Sequence, residues 1–174
     1  YFNQIFVNVN LSAAFSTCTV MLITRARYGK SDISMTINGA LAGLVISTGC
    51  CAYIEPVGAA LIGILAGALL VPSLELVDKK LHIDDPVGAV SVHGVMGFVG
   101  TLLTGLLSLD TGLFYGGGFR QLGIQLLGAV SVIAWTALVI SLTLLLLKNT
   151  LGIRVSAKEE IAGLDMAAHG LVSA

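Results

Sequence analysis

Charge is missing from this sequence in long blocks, and each block is about as long as a bilayer is thick. The 10 Asp and Glu and 9 Lys and Arg residues fall into a few clusters. Arg25, Arg27, Lys30 and Asp32 form the first, and Glu55 stands alone. Glu75, Asp78, Lys79, Lys80, Asp84 and Asp85 form the next. Asp110 and Arg120 follow, and the rest lie from Lys148 onward. Between them run five charge-free stretches, residues 1–24, 33–54, 56–74, 86–109 and 121–147. A helix rising ~1.5 Å per residue needs about 20 residues to cross ~30 Å of hydrocarbon, and in lipid the backbone must satisfy its own hydrogen bonds. The pattern predicts an all-α, polytopic transmembrane helical bundle. Its five helices are expected at about 5–25, 34–51, 56–78, 86–108 and 118–148, in a membrane region of residues 1–150, with a tail at 151–174. The second stretch is the weakest span, since it holds Asn38, three glycines and several hydroxyls.

Composition agrees and excludes other classes. Of 174 residues, 56% are hydrophobic and 11% charged, against roughly 25% charged in soluble domains, which must cover their surface with polar groups. With a net charge of −1 and no basic stripe, nothing points to nucleic acid. Cys18, Cys50 and Cys51 lie inside or at the end of apolar stretches, with neither a CxxC motif nor a nearby histidine. They read as small buried hydrophobes rather than a disulfide framework or zinc site, and no metal or cofactor is expected.

Lys and Arg in short loops stay cytoplasmic. The loop after the first stretch carries Arg25, Arg27 and Lys30. The loop after the third carries Lys79 and Lys80, and the tail carries Lys148, Arg154 and Lys158. The intervening loops hold only Arg120. The expected topology is a multi-pass protein with its N-terminus outside and its C-terminus in the cytoplasm. The chain opens on Tyr1, not Met, and runs straight into apolar sequence. With an odd number of crossings from an outside start, it is expected to lack helices upstream.

The loops carry helix start signals. Ser31 or Asp32 can cap the second helix. Pro56 suits a first helical turn, and Asp84-Asp85-Pro86 places acidic residues and then proline at a helix start. In the fourth stretch Gly88, Ser91, Gly94, Gly97 and Gly100 recur every third residue. So many small residues favour close helix–helix approach in a membrane over an isolated helix. His93 lies eight residues past Asp85, about 12 Å along a continuous helix. Thiols aside, it is the only ionisable side chain deep within any stretch. Such groups usually face a cavity or a partner. A neutral imidazole there offers one donor and one acceptor to a small polar solute, or to a neighbouring carbonyl in a purely packing role. Asp84 and Asp85 either cap the helix or also shape a pathway mouth. In the tail, Ser156-x-x-Glu159 forms a capping box that predicts a short helix over 157–162 ended by Gly163, with Asp165 able to cap a further turn.

Several of these segments carry a resemblance. Asp84-Asp85-Pro86 followed by Ser91-Val92-His93-Gly94-Val95 is similar to the signature near the end of Amt/Mep/Rh ammonium transporters. Gly112-Leu113-Phe114-Tyr115-Gly116-Gly117-Gly118 with Gln121-Leu122 resembles the outer loop before their last helix, and residues 152–170 resemble their cytoplasmic tail. The resemblance implies the last five of eleven helices of a plasma-membrane homotrimer with one pore per subunit. It implies that ammonium gives up a proton at a central histidine pair and that ammonia crosses a hydrophobic channel. His93 falls on the second histidine, Leu41 and Ala89 on channel-lining positions, and Asp84 and Asp85 on the cytoplasmic-mouth motif. Gly152, Arg154, Glu159, Glu160, Gly163 and Asp165 fall in the regulatory tail, which in the family contacts neighbouring subunits and PII-type proteins. The first histidine, the aromatic gate and the outer cation site belong to helices absent from this chain, so it is not expected to transport alone. The implied partners are ammonium or ammonia and membrane lipid. An Amt-like sensor signalling through its tail is the alternative function. An enzyme is not expected: Ser91, two residues from His93, points elsewhere on a helix, and no nucleophile motif accompanies it.

Overall fold

A computed structural model describes residues 2–164 and 170 of the chain. Its described residues are helical and contain no strand. Helix α1 spans Phe2–Tyr28, α2 Ile33–Thr48 and α3 Pro56–Glu75, which continues as a π-turn over Leu76–Lys80. Helix α4 begins as a π-turn over Val90–Val95 and becomes α-helical over Met96–Leu107. A 3₁₀ turn at Leu113–Tyr115 leads to α5 (Phe119–Thr150), and α6 covers Ala157–Ala162. Two compact units divide the chain, Tyr1–Val130 and Ser131–Ala174.

Among the described residues, four helices are long and apolar enough to cross a membrane: Phe2–Tyr28, Pro56–Lys80, Val90–Leu107 and Phe119–Thr150. The expected second span, 34–51, is shorter than its charge-free stretch. The α2 helix has 16 residues, about 24 Å at 1.5 Å per residue. Its last turn tightens, with the Ser47 carbonyl shared between the N–H groups of Cys50, three residues on, and Cys51, four residues on. The loop beyond is held from α1: the Asn8 amide donates to the carbonyls of Cys51 and Ile54, each at 2.8 Å. Backbone inside the bundle is thus satisfied without a continued helix. At the other end Asp32 is the cap, accepting from Met35 N–H at 2.7 Å.

The first unit is organised around a small-residue face of α1. Its buried residues are Asn8, Ser12, Ser16, Val20 and Thr24, one per turn. Against this face lie Gly43 of α2 and Gly63 and Gly67 of α3. A Cβ on Gly43 would meet the Ser12 carbonyl oxygen at 2.5 Å, and one on Gly67 would meet Thr19 Cβ at 2.6 Å. Ser12 also donates to the Gly43 carbonyl at 2.8 Å. Lipid tails are as apolar as leucine, so helices in a membrane associate through such close approach and interhelical hydrogen bonds. At one end of the pair, Glu75 of α3 accepts from Arg27 Nη1 at 2.7 Å and Tyr28 Oη at 2.8 Å, both on α1, and from Lys79 Nζ at 3.3 Å.

Cys50 and Cys51 are buried, as read from the sequence, but Cys18 is exposed on α1. The apolar environment of its stretch is here a surface, because α1 turns its Asn8–Thr24 stripe inward instead.

Candidate functional site

The chain approaches His93 through a turn rather than the continuous helix expected from residue 86. Gly88 adopts φ +73°, the left-handed region that glycine enters without penalty. A Cβ there would also lie 2.7 Å from Leu74 Cδ2 and 2.9 Å from Asn38 Nδ2. Three contacts pin the turn. The Asp85 carboxylate accepts from Ala89 N–H at 2.8 Å and Val90 N–H at 3.0 Å, and Asn38 of α2 donates to the Val87 carbonyl at 3.1 Å. Asp85 is therefore a two-pronged cap placed before Pro86 and Gly88, and α4 proper begins at Val90.

His93 consequently lies three residues into α4, not eight past a helix start. Asn38 is the sixth residue of α2, so the turn already sits about 7.5 Å along α2, and Val90 to His93 adds about 4.5 Å.

The π-turn holding His93 has a buried and an open side. Ser91 and Val92 are buried, while Ala89, Val90, His93 and Gly94 are exposed. Ser91 accepts a hydrogen bond from Ser73 of α3 at 2.9 Å. The glycine series does not behave as one packing stripe. Gly100 presses against the Ile46 carbonyl of α2, Gly97 has only Val45 near it at 3.9 Å, and nothing lies within 4 Å of a Cβ on Gly94. Farther along, a Cβ on Gly105 would meet Leu122 Cα of α5 at 2.6 Å, so α4 packs closely against both α2 and α5 and leaves its His93–Gly94 face open. Within this chain the surface around His93 and Gly94 is uncovered.

The remaining candidates separate into groups. Leu41 is exposed on α2, 41% accessible. Asp84 and Asp85 border a cavity of about 320 Å³ with Tyr28, Asp32, Asn38 and Glu75. His93, Leu41 and Ala89 lie outside that cavity. On the other side of the unit Glu55 precedes α3 without a side-chain cap bond and borders a smaller cavity of about 200 Å³ with Leu107 and Tyr115. No group of three or more His, Cys, Asp or Glu capable of holding a metal ion occurs among the described residues.

In the second unit, Gly152 ends α5 at φ +74°, its N–H bonding the Leu147 carbonyl at 3.0 Å. The capping box forms in both directions: Glu159 N–H donates to Ser156 Oγ at 3.3 Å, and Ser156 N–H donates to the Glu159 carboxylate at 2.9 Å. The Ser156 hydroxyl also donates to the Glu159 carboxylate at 2.7 Å, and this bond first, then that from Ser156 N–H, holds the carboxyl below its ordinary range. Arg154, Glu159 and Glu160 are exposed, Gly163 follows α6 at φ +95°, and Asp165 lies outside the described residues.

Three features escaped the sequence reading: the Asn8 clamp, the Glu75 cluster and the Ser73–Ser91 pair. The one-per-turn recurrence of Asn8, Ser12, Ser16 and Thr24 marks the inward face of α1 but not the distant loop that Asn8 clamps. The others join residues 48 and 18 positions apart, and no local pattern announces them.

Long apolar helices joined by tight small-residue contacts, with a histidine held on the open face of one of them, define a multi-pass α-helical membrane protein. A family model described as the Ammonium Transporter Family matches residues 1–174. The chain belongs to that family. It is 39% identical to the ammonium transporter Amt2 of Archaeoglobus fulgidus over 95% of this chain and 38% of that protein. It is 38% identical to an ammonium transporter of Mycobacterium tuberculosis over 94% of this chain and 37% of that protein. Among solved structures it resembles a sensor Amt protein, with TM-score 0.87 and 32% identity over 96% of this chain and 42% of that one. It also resembles Candida albicans Mep2, with TM-score 0.81 and 32% identity over 90% of this chain and 37% of that one. The chain thus spans about two fifths of the length of the relatives it matches.

Proposed function

We propose that this chain forms one wall of a pathway that moves ammonium nitrogen across the plasma membrane, and that His93 is its central proton-handling group. The observation that carries this reading is the setting of the imidazole. His93 stands on the open face of an apolar helix, on the family-matching motif, while the other face of the same turn is fastened to α3.

An ammonium ion at the bilayer centre costs several kcal/mol. Giving up its proton removes that cost, and the ammonia left behind hydrogen-bonds a neutral imidazole, which offers a donor on one nitrogen and an acceptor on the other. Potassium has no proton to lose, so an apolar route with imidazoles rejects it where a charged filter of the same width would not. Leu41 and Ala89, both exposed, supply apolar wall. The second histidine of the pair would come from helices outside this chain. Asp84 and Asp85, beside the 320 Å³ cavity, form the cytoplasmic mouth. A homotrimer, with the α1 N-terminus outside and the α6 tail in the cytoplasm, completes the proposal. There the tail residues Gly152, Arg154, Glu159, Glu160, Gly163 and Asp165 would meet neighbouring subunits or a PII-type protein.

The test is His93→Ala in the full-length protein reconstituted in vesicles, with ammonium, methylammonium and potassium fluxes compared. Loss of ammonium flux or of discrimination against potassium is expected. Unchanged flux and unchanged discrimination would reduce His93 to a packing residue.

One observation favours a second reading. The sensor Amt protein aligns over 96% of this chain, so ammonium binding coupled to the tail rather than to flux is the alternative. Saturable ammonium binding without flux in the same vesicles would select it.

A further inference from the structure

We infer that Ser73 and Ser91 act together as a positioning pair that sets the direction of the His93 ring; the inference rests on the reading of His93 as the pathway's working group. Both hydroxyls are buried, Ser91 fully and Ser73 to 9% exposure, and they meet at 2.9 Å. A net hydrogen bond inside an apolar bundle contributes little to stability, and replacing both partners by apolar groups can be nearly neutral. Its value here is directional.

His93 sits in a π-turn, Val90–Val95, whose wider ladder is rare and common at functional sites. Relaxing such a turn to ordinary α register would swing the side chains on one side of it by about 100°, the angular step of one residue at 3.6 residues per turn. The contacts upstream, from Asp85 to Ala89 and Val90 and from Asn38 to Val87, fix where the turn begins but not how it is rotated. Ser91 lies beyond them and two residues before His93, so the two side chains leave the helix on nearly opposite sides. Fastening Ser91 inward to α3 commits His93 outward, as the burial pattern of the turn records.

The α3 side of the pair is also prepared. Ser73 directly follows Pro72 inside the helix. Proline has no N–H to donate and crowds the preceding turn, which bends a helix where it stands. The ordinary ladder therefore changes at the residue that must reach across to α4, and the π-turn Leu76–Lys80 follows it.

The experiment uses Ser73→Ala, Ser91→Ala and the double variant in the full-length protein, with His93→Ala beside them. Ammonium flux and potassium discrimination are read together with the imidazole nitrogen chemical shifts of His93, assigned by their loss in His93→Ala. Each single variant is expected to move the His93 shifts and lower ammonium flux by roughly two- to tenfold, the span of one net hydrogen bond. The double variant is expected to be no worse than the worse single. If His93→Ala impairs transport while both serine variants leave flux and ring shifts unmoved, or lower only thermal stability, the positioning pair is overturned and the pathway reading stands. If His93→Ala is itself without effect, the pathway reading fails first and this inference falls with it. Should Ser91→Ala not assemble, Ser73→Ala decides alone, because its partner site is left sterically untouched.

Discussion

Single side chains in this protein are worth most where they terminate backbone. Asp85 accepts from two consecutive N–H groups at the start of α4. Its replacement by Ala should cost about 0.5–2 kcal/mol, the usual range for a lost cap, seen as a lower unfolding temperature of the detergent-solubilised full-length protein. Asn8 serves two carbonyls of the loop after α2. Asn8→Ala would remove the Cys51 carbonyl's donor in a buried setting, at about 1–3 kcal/mol, while the Ile54 carbonyl keeps Gln4 at 3.0 Å, and the same melting experiment should rank it as the more damaging change. Legibility at this scale followed distance along the chain. Asp85, Asp32 and Ser156 act within five residues of themselves, so their capping roles could be read from spacing. Asn8 acts 43 and 46 residues away, and spacing is silent there. Cys18 was misread because its stretch is apolar, and apolarity in a membrane chain does not separate inside from outside.

At the scale of elements, charge-free length marked where the helices lie but overstated two of them. The α2 helix stops at Thr48 because Asn8 satisfies the loop. The α4 helix starts at Val90 because Gly88 turns left-handed and Asp85 reaches over Pro86. Both causes lie in side chains that bond backbone, which hydropathy does not register. Glycine recurrence was likewise a mixed signal: Gly100 is crowded by the Ile46 carbonyl, whereas Gly94 meets nothing. Gly100→Leu should therefore pry α4 from α2. We expect about 1–3 kcal/mol of destabilisation from overpacking, measured as loss of correctly assembled protein on size-exclusion chromatography after mild heating. The short helix α6 carries a pH dependence of known sign. Glu159 titrates below its ordinary value of 4.5 because the capping box favours its charged form. The box is thus intact above that ordinary value and is lost as the pH falls through the lower, folded one. Titrating from pH 6 to pH 3 should move the Cα chemical shifts of Ser156 and Glu159 toward random coil with a midpoint below 4.5, and Glu159→Gln should flatten the curve.

For the molecule as a whole, the class was legible and the enclosure was not. Five charge-free blocks establish a polytopic helical membrane protein, and the Asp-Asp-Pro to His-Gly segment carries the family. Which face of α4 is covered depends on residues far apart in the chain. His93 is exposed here, on a chain that spans about two fifths of its relatives. Vesicles loaded with residues 1–174 alone are accordingly expected to show no ammonium-dependent pH change, whereas the full-length protein should. The stripe of Asn8, Ser12, Ser16 and Thr24 on α1 has a consequence for how this sequence can drift. In a medium where grease is everywhere, greasiness gives no helix an address. Recognition passes instead to bulk and to hydroxyl or amide groups. Leucine and isoleucine, the safest choices inside a water-soluble protein, are then the most disruptive at these positions, while exchanges among alanine, serine, glycine and cysteine are the ones the seam can absorb.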